Sequence, residues 1–197
     1  SNTLTVPASP DVTLQLRQLA RFRFSLVDQI GDAKRKTLAV LDQVFPEYET
    51  LFSNVFLTSS RQLLTEAVTA QDFAESDLQE MTDLLRTASR GRFGQDKAEA
   101  IQQAAQHSIG ITFLADAARL ELGCLLAQIE FLEQQVAEID QALEQLVAQL
   151  PEQYITSIPG ISGVTGAAIL GEIGDIHRFP TLEKLVAYAG IDPASYE

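Results

Sequence analysis

The segment 122–146, LGCLLAQIEFLEQQVAEIDQALEQL, decides the fold that this sequence predicts. Its aliphatic residues recur alternately three and four positions apart, which is the heptad spacing of a helix with one apolar face. These positions are Leu122, Leu125, Ile129, Leu132, Val136, Ile139, Leu143 and Leu146. We predict a long helix over residues 112–150, ended by Pro151, whose apolar face forms a coiled-coil seam.

Two partners remain open for this seam. The first is another long helix of the same chain, packed beside it as an intramolecular hairpin. The second is another copy of the chain, which would make the protein a homo-oligomer.

The remaining sequence also has helical spacing and almost no alternation typical of strands, so we predict an all-α fold. A first long helix follows Pro10 and runs to Phe45, and several short helices follow between residues 57 and 110. Ser76 with Gln79 three residues later predicts a capping box at the start of one of them. We divide the chain into a tag remnant or linker (1–10), a helical and coiled-coil region (11–150) and a C-terminal element (151–197).

Charge is unevenly distributed along the chain. With 14 basic and 27 acidic residues, the net charge of −13 argues against a broad nucleic-acid surface. Residues 11–36 nevertheless carry an excess of cations, which we interpret either as a nucleic-acid contact or as a solvated charged face. The cations are Arg17, Arg21, Arg23, Lys34, Arg35 and Lys36.

Cysteine and histidine are too few for a disulfide or a zinc site. Cys124 is the single cysteine, which fits a reducing cytoplasm, and we expect it to be a small buried or half-buried helix residue. His107 and His177 are far apart in sequence and have no cysteine near them. No apolar run is long enough to predict a membrane span.

Glycine is concentrated in residues 157–175, SIPGISGVTGAAILGEIGD. A short helix, a PGISGV turn and a second helix together predict a helix–hairpin–helix element. Glycine lets such a turn present backbone amides at a helix N-terminus, where the helix dipole favours a phosphate. We expect it to bind the DNA backbone without reading bases. The predicted contacts are Gly160, Ile161, Ser162, Gly163, Thr165 and Arg178; a turn that binds nothing is the alternative.

The stretch from Ile158 to Pro193 closely resembles the C-terminal region of insertion-sequence 110 family transposases, which are DNA recombinases guided by a bridge RNA. The stretch LRQLARFRFSLVDQIGDAKRKTLAVLDQVFPEYETLF, residues 16–52, resembles the helical segment that follows the N-terminal domain in that family. Together these two stretches cover about seventy residues.

The resemblance implies that the full protein cuts and rejoins DNA. It implies a RuvC-like nuclease domain with a magnesium-binding acidic tetrad, a coiled-coil assembly region and a C-terminal domain with a serine nucleophile. Because the chain begins with Ser1-Asn2 and lacks the Ser-Gly pair typical after AGIDP, we expect a piece of a longer protein without its own catalytic centre, metal or cofactor. Ser195 is the weaker candidate for the nucleophile, which we expect beyond Glu197. The implied partners are DNA, the guide RNA through the basic stretch, and further copies of the chain.

We therefore predict a transposase segment that supplies assembly and binding of the DNA or RNA backbone, acting at the nucleoid in a bacterial cytoplasm. One alternative is a non-enzymatic helix–hairpin–helix protein of DNA repair or recombination. The other is a purely structural helical oligomerisation module.

Overall fold

The structure is a computed structural model that describes residues 10–149 and Gly171. The fold is all-α, as predicted, and no strand occurs among these residues. The helices are α1 (Pro10–Val44), a 3-10 helix (Pro46–Leu51), α2 (Thr58–Glu66), α3 (Ala70–Glu75), α4 (Leu78–Ala88), α5 (Gln95–Gln106) and α6 (Ala115–Val147). The described residues divide into two compact units, one of residues 10–27, 134–149 and 171 and one of residues 28–133.

Helix α1 is continuous from Pro10 to Val44, as the sequence predicted. Proline is well suited to the first helical turn because the amide that it lacks would have no intrahelical acceptor there. At the other end, Pro46 cannot continue the hydrogen-bond ladder, and the chain turns at Phe45 into the short 3-10 helix. Inside the helix, the buried hydroxyl of Thr37 donates to the Ala33 carbonyl at 2.9 Å, so this polar group is satisfied.

The predicted capping box at Ser76 and Gln79 is wrong. The hydroxyl of Ser76 instead donates to the Asp72 carbonyl at 2.7 Å and closes the end of α3, a helix that the sequence reading missed. Asp77 caps α4, because its carboxylate accepts from the Glu80 amide at 2.9 Å. The next residue along the chain therefore supplies the acceptor, since a carboxylate favours the positive end of a helix.

Aromatic side chains form the core of the 28–133 unit. Phe45, Tyr48 and Phe73 are fully buried, and their ring centroids lie 5.4–5.6 Å apart. The Tyr48 hydroxyl reaches Ser60 Oγ at 3.0 Å and the Ser60 carbonyl at 3.2 Å, and burial raises the pKa of this phenol. Helix α5 packs against α3, α4 and the 3-10 helix, and α2 packs against α4. This packing brings residues from five short segments around one core.

A capping box at the start of α3 extends into an ion pair with α6. The hydroxyl of Thr69 accepts from the Asp72 amide at 3.1 Å, and the Asp72 carboxylate accepts from the Thr69 amide at 3.0 Å. The same carboxylate accepts two hydrogen bonds from Arg119, at 2.5 and 3.2 Å. Burial alone would raise the pKa of Asp72, but the hydrogen bonds from Arg119 and from two backbone amides lower it to about 2.

Replacing Asp72 with alanine is expected to lower the free energy of unfolding by about 1–2 kcal/mol, allowing for solvent screening of a partly exposed pair. Because the folded pKa lies below the unfolded value of 3.8, the ionised Asp72 stabilises the fold above pH 3.8. That stabilisation is lost as the pH falls towards 2. Urea denaturation at pH 7 and pH 2.5 measures both effects.

Asp83 provides the matched control for this measurement. It pairs with Arg86 within α4 at 3.5 Å, and both side chains are exposed. Asp83→Ala is expected to change stability by no more than about 0.5 kcal/mol. If both variants lost the same free energy of unfolding, the contacts of Asp72 would stabilise the fold no more than an exposed ion pair does.

The other unit is built around the facing ends of α1 and α6. Leu16, Leu143 and Val147 form its buried core, flanked by partly buried apolar residues. About two helical turns after Leu16 on α1, the guanidinium of Arg23 donates two hydrogen bonds to the carboxylate of Asp140 on α6, at 2.5 and 3.1 Å. The pairings Leu16 with Leu143 and Arg23 with Asp140 show that the two helices run antiparallel within this unit.

Candidate functional site

The whole of the predicted DNA-binding turn lies outside the described residues. This holds for Gly160, Ile161, Ser162, Gly163, Thr165 and Arg178, and also for the alternative nucleophile Ser195. Gly171 is the one described residue of the segment 151–197. It is helical and buried, and its carbonyl accepts a hydrogen bond from Arg17 Nε at 2.8 Å.

The basic stretch of α1 is largely engaged by partners within the chain. Arg23 binds Asp140, and Arg35 pairs with Asp32 one turn earlier on the same helix. Arg17 contacts Gly171, and Arg21 also has a partner. Lys36 is exposed and has no ion pair among the residues that the structure describes.

Lys34 is the sixth cation of this stretch and takes part in an ion-pair network that joins three helices. Its ammonium lies 3.4 Å from Glu133 of α6 and 5.2 Å from the ring centroid of Phe56. Arg61 of α2 donates two hydrogen bonds to the same Glu133 carboxylate, at 2.7 and 2.8 Å. The hydrogen bond from Arg61 is the main cause that lowers the pKa of Glu133. Sequence reasoning missed Arg61, because 72 residues separate it from Glu133.

The heptad seam of α6 is covered mostly by the chain's own packing. Leu122, Leu125, Ile129, Leu132 and Leu143 are buried. The other three seam positions, Val136, Ile139 and Leu146, are half-buried. This burial favours the intramolecular partner for the seam, since fully buried side chains have no area left for a second copy.

A second apolar stripe on the same part of the chain is uncovered. Six residues from just before α6 into its first half follow the spacing four, three, four, three, four, and all are exposed. They are Phe113, Ala117, Leu120, Cys124, Ala127 and Phe131, here called the outer stripe. Its three large side chains are 82%, 72% and 58% exposed, in the order of Phe113, Leu120 and Phe131. Cys124, expected to be buried or half-buried, is therefore exposed, because it lies on this face rather than on the seam.

One protein-family model matches the C-terminal part of the chain. Residues 152–197 match the model of the Transposase IS116/IS110/IS902 family. Residues 152–197 are therefore similar to a segment of this transposase family. The match confirms the family predicted from the residues between Ile158 and Pro193. No curated protein sequence and no solved structure matches the chain significantly.

The predicted turn and Gly171 both fall inside residues 152–197, here called the transposase-family segment, whereas α1 to α6 precede it. Within residues 10–149 and at 171, no group of three or more His, Cys, Asp or Glu side chains is arranged to hold a metal ion. None of the helices in the described ranges combines the length and the apolar character needed to cross a membrane.

Proposed function

We propose that the chain acts in DNA transposition by binding the DNA backbone through the turn at residues 159–164 and Thr165, which follows it. The observation that carries this proposal is the match of residues 152–197 to a transposase family, because the matched residues contain the whole turn. Cutting and rejoining of DNA by a serine nucleophile, with magnesium in a nuclease domain and a guide RNA as further partners, belongs to the same proposal for the full protein.

The chemistry of the turn supports a phosphate contact. Gly160 and Gly163 lack side chains that would block a backbone approaching a ligand, and Ser162 and Thr165 add hydroxyl donors. Amide donors at a helix N-terminus suit an anion without requiring cations. This matters here because most cations of the basic stretch already have partners within the chain.

Gly160→Val combined with Gly163→Val is expected to lower the affinity of the chain for duplex DNA by at least tenfold, the effect of losing more than one phosphate contact. Fluorescence anisotropy at several salt concentrations measures both the affinity and its salt dependence. Gly94→Val is the matched control, since open space surrounds the position of its added side chain and it lies outside the transposase-family segment.

The outcomes separate the candidate functions. Loss of affinity in the double variant alone supports the phosphate-binding turn. Unchanged affinity in the double variant contradicts it. A parent chain without salt-dependent DNA binding would favour the purely structural module, whereas binding without any strand transfer by the full protein would favour a non-enzymatic DNA-binding protein.

We also propose that the chain self-associates through the outer stripe rather than through the buried seam. Consider an antiparallel copy related by a two-fold axis that crosses α6 at the level of Leu122, on the side of the outer stripe. This arrangement would place Phe113 against Phe131, Ala117 against Ala127 and Leu120 against Cys124. Each large side chain presents on the order of 100 Å². Together with the small residues of the outer stripe and the residues beside it, the two copies would bury a total accessible surface of roughly 1,000 Å². This is the area that a weak specific interface requires.

Leu120→Glu combined with Phe131→Glu is expected to reduce the molecular mass measured by light scattering to that of one chain. Ile109→Glu is the control, because Ile109 is also strongly exposed but does not belong to the outer stripe. A parent chain that is already monomeric at about 100 μM, well above the micromolar affinity expected of such an interface, would refute the proposal. A dimer unaffected by the double variant would refute it as well.

A further inference from the structure

The backbone of Gly171 lies directly against the backbone of helix α1. An ideal Cβ built on Gly171 would lie 2.7 Å from the Arg17 nitrogen and 2.9 Å from both the Arg17 Cα and the Leu16 carbonyl carbon. These separations are too short for a side-chain carbon, and the neighbouring atoms belong to the backbone of a helix and cannot rotate away. Only glycine therefore permits this approach.

Arg17 adds a directed hydrogen bond to the same contact. Its Nε donates to the Gly171 carbonyl oxygen at 2.8 Å, across 154 residues of sequence. A backbone carbonyl has two lone pairs, so a helical carbonyl can accept such a bond in addition to its helical one. One turn of α1 thus supplies both the close approach and the bond that orients it.

The α1 turn that receives Gly171 is itself held firmly. The side chain of Leu16 is 1% exposed and packs against Leu143 and Val147 of α6. Further along α1, Arg23 is tied to Asp140 of α6 by two hydrogen bonds. Because closely packed side chains do not yield readily, α1 presents a rigid surface at Leu16 and Arg17.

We infer that the Leu16–Arg17 turn of α1 is the docking surface for the transposase-family segment, with Gly171 as its point of contact and Arg17 as a positioning residue. The occupant is identified by the contact itself, since Gly171 lies within residues 152–197. The inference concerns how this segment is held and does not depend on what the segment binds. It gives the Nε of Arg17 a role inside the protein, where the sequence alone left a nucleic-acid contact and a solvated charged face as the two alternatives.

Hydrogen–deuterium exchange on the whole chain tests this docking. Arg17→Ala is expected to raise exchange in peptides around Gly171 by about five- to tenfold, the effect of losing one hydrogen bond. Gly171→Ala is expected to raise it further, because the added methyl group cannot be accommodated. Gly123→Ala and Arg35→Ala are matched controls, one at a helical glycine with open space and one at an exposed arginine of α1.

Arg17→Lys separates docking from nucleic-acid binding. Lysine keeps the charge and one donor, so it is expected to restore part of the protection that Arg17→Ala removes. If Arg17 served only as a phosphate contact, all Arg17 variants would exchange like the parent chain, and the inference would fail. The inference would also fail if the parent chain showed no protection from exchange around Gly171. It would fail as well if the Arg17 variants raised exchange in α5 as much as they raised it around Gly171. Should Gly171→Ala fail to fold, the Arg17 variants alone decide.

Discussion

Replacing Gly110 with alanine is expected to lower the free energy of unfolding of the 28–133 unit by about 3 kcal/mol. A Cβ at this position would overlap the carbonyl oxygen of Val44 and lie 2.6 Å from its carbonyl carbon and 3.1 Å from the Phe45 nitrogen. All three atoms are backbone atoms at the end of α1, where Val44 and Phe45 are fully buried. The added methyl group can therefore be accommodated only if the two chain segments separate.

Separating these segments would break the hydrogen bonds that join them. The Ile111 amide donates to the Gln43 carbonyl at 2.9 Å, and the Ile109 amide donates to the Glu47 carboxylate at 3.3 Å. The Ser108 hydroxyl donates to the same carboxylate. Burial would raise the pKa of Glu47, but these hydrogen bonds lower it, so the contact is made by the ionised carboxylate.

Gly123→Ala is the control for Gly110→Ala and is expected to have the opposite sign. Gly123 lies inside α6 with open space around the position of an added Cβ. Alanine there should raise stability by up to about 1 kcal/mol, because it has the higher helix propensity. Thermal and urea denaturation of both variants check the pair. A Gly110→Ala chain as stable as the parent would show that the end of α1 is not closely packed against this loop.

The elements that could be predicted from the sequence are those with a long and regular apolar pattern. Both long helices follow from the helical spacing of their apolar residues, and the end of α1 follows from Pro46. The second was predicted over residues 112–150, whereas α6 spans Ala115–Val147. The short helix α3 was missed because six residues are too few to show a period. Its capping box at Thr69 is a local signal that could have revealed it.

Partners distant in sequence could not be predicted, because charge patterns do not specify which helices meet. Glu133 pairs with Arg61 and Lys34, and Arg17 with Gly171, only once the chain has folded. Likewise, the spacing of the apolar residues within α6 predicted a seam. It did not predict whether the chain's own packing covers the seam or the outer stripe. The backbone contact that requires glycine at position 110 is also a property of the fold.

Ile129→Lys is expected to destabilise the 28–133 unit by about 4 kcal/mol or more, instead of only dissociating an oligomer. Ile129 is 0% exposed, so the new ammonium group would lose its water without gaining a designed partner. Burial lowers the pKa of a lysine, and the unfolded chain then binds more protons than the folded one. Stability of the variant is therefore expected to recover partly as the pH rises from 7 to 10.

Phe131→Lys, two positions further along α6, isolates the effect of burial. Phe131 is 58% exposed, so at a chain concentration too low for self-association through the outer stripe its lysine variant is expected to unfold within about 1 kcal/mol of the parent chain at pH 7 and to show no recovery at high pH. Urea denaturation measures both variants over the pH range. If Ile129→Lys folded as stably as Phe131→Lys and only reduced the molecular mass, the seam would face a second copy, and the intramolecular packing of α6 described above would be wrong.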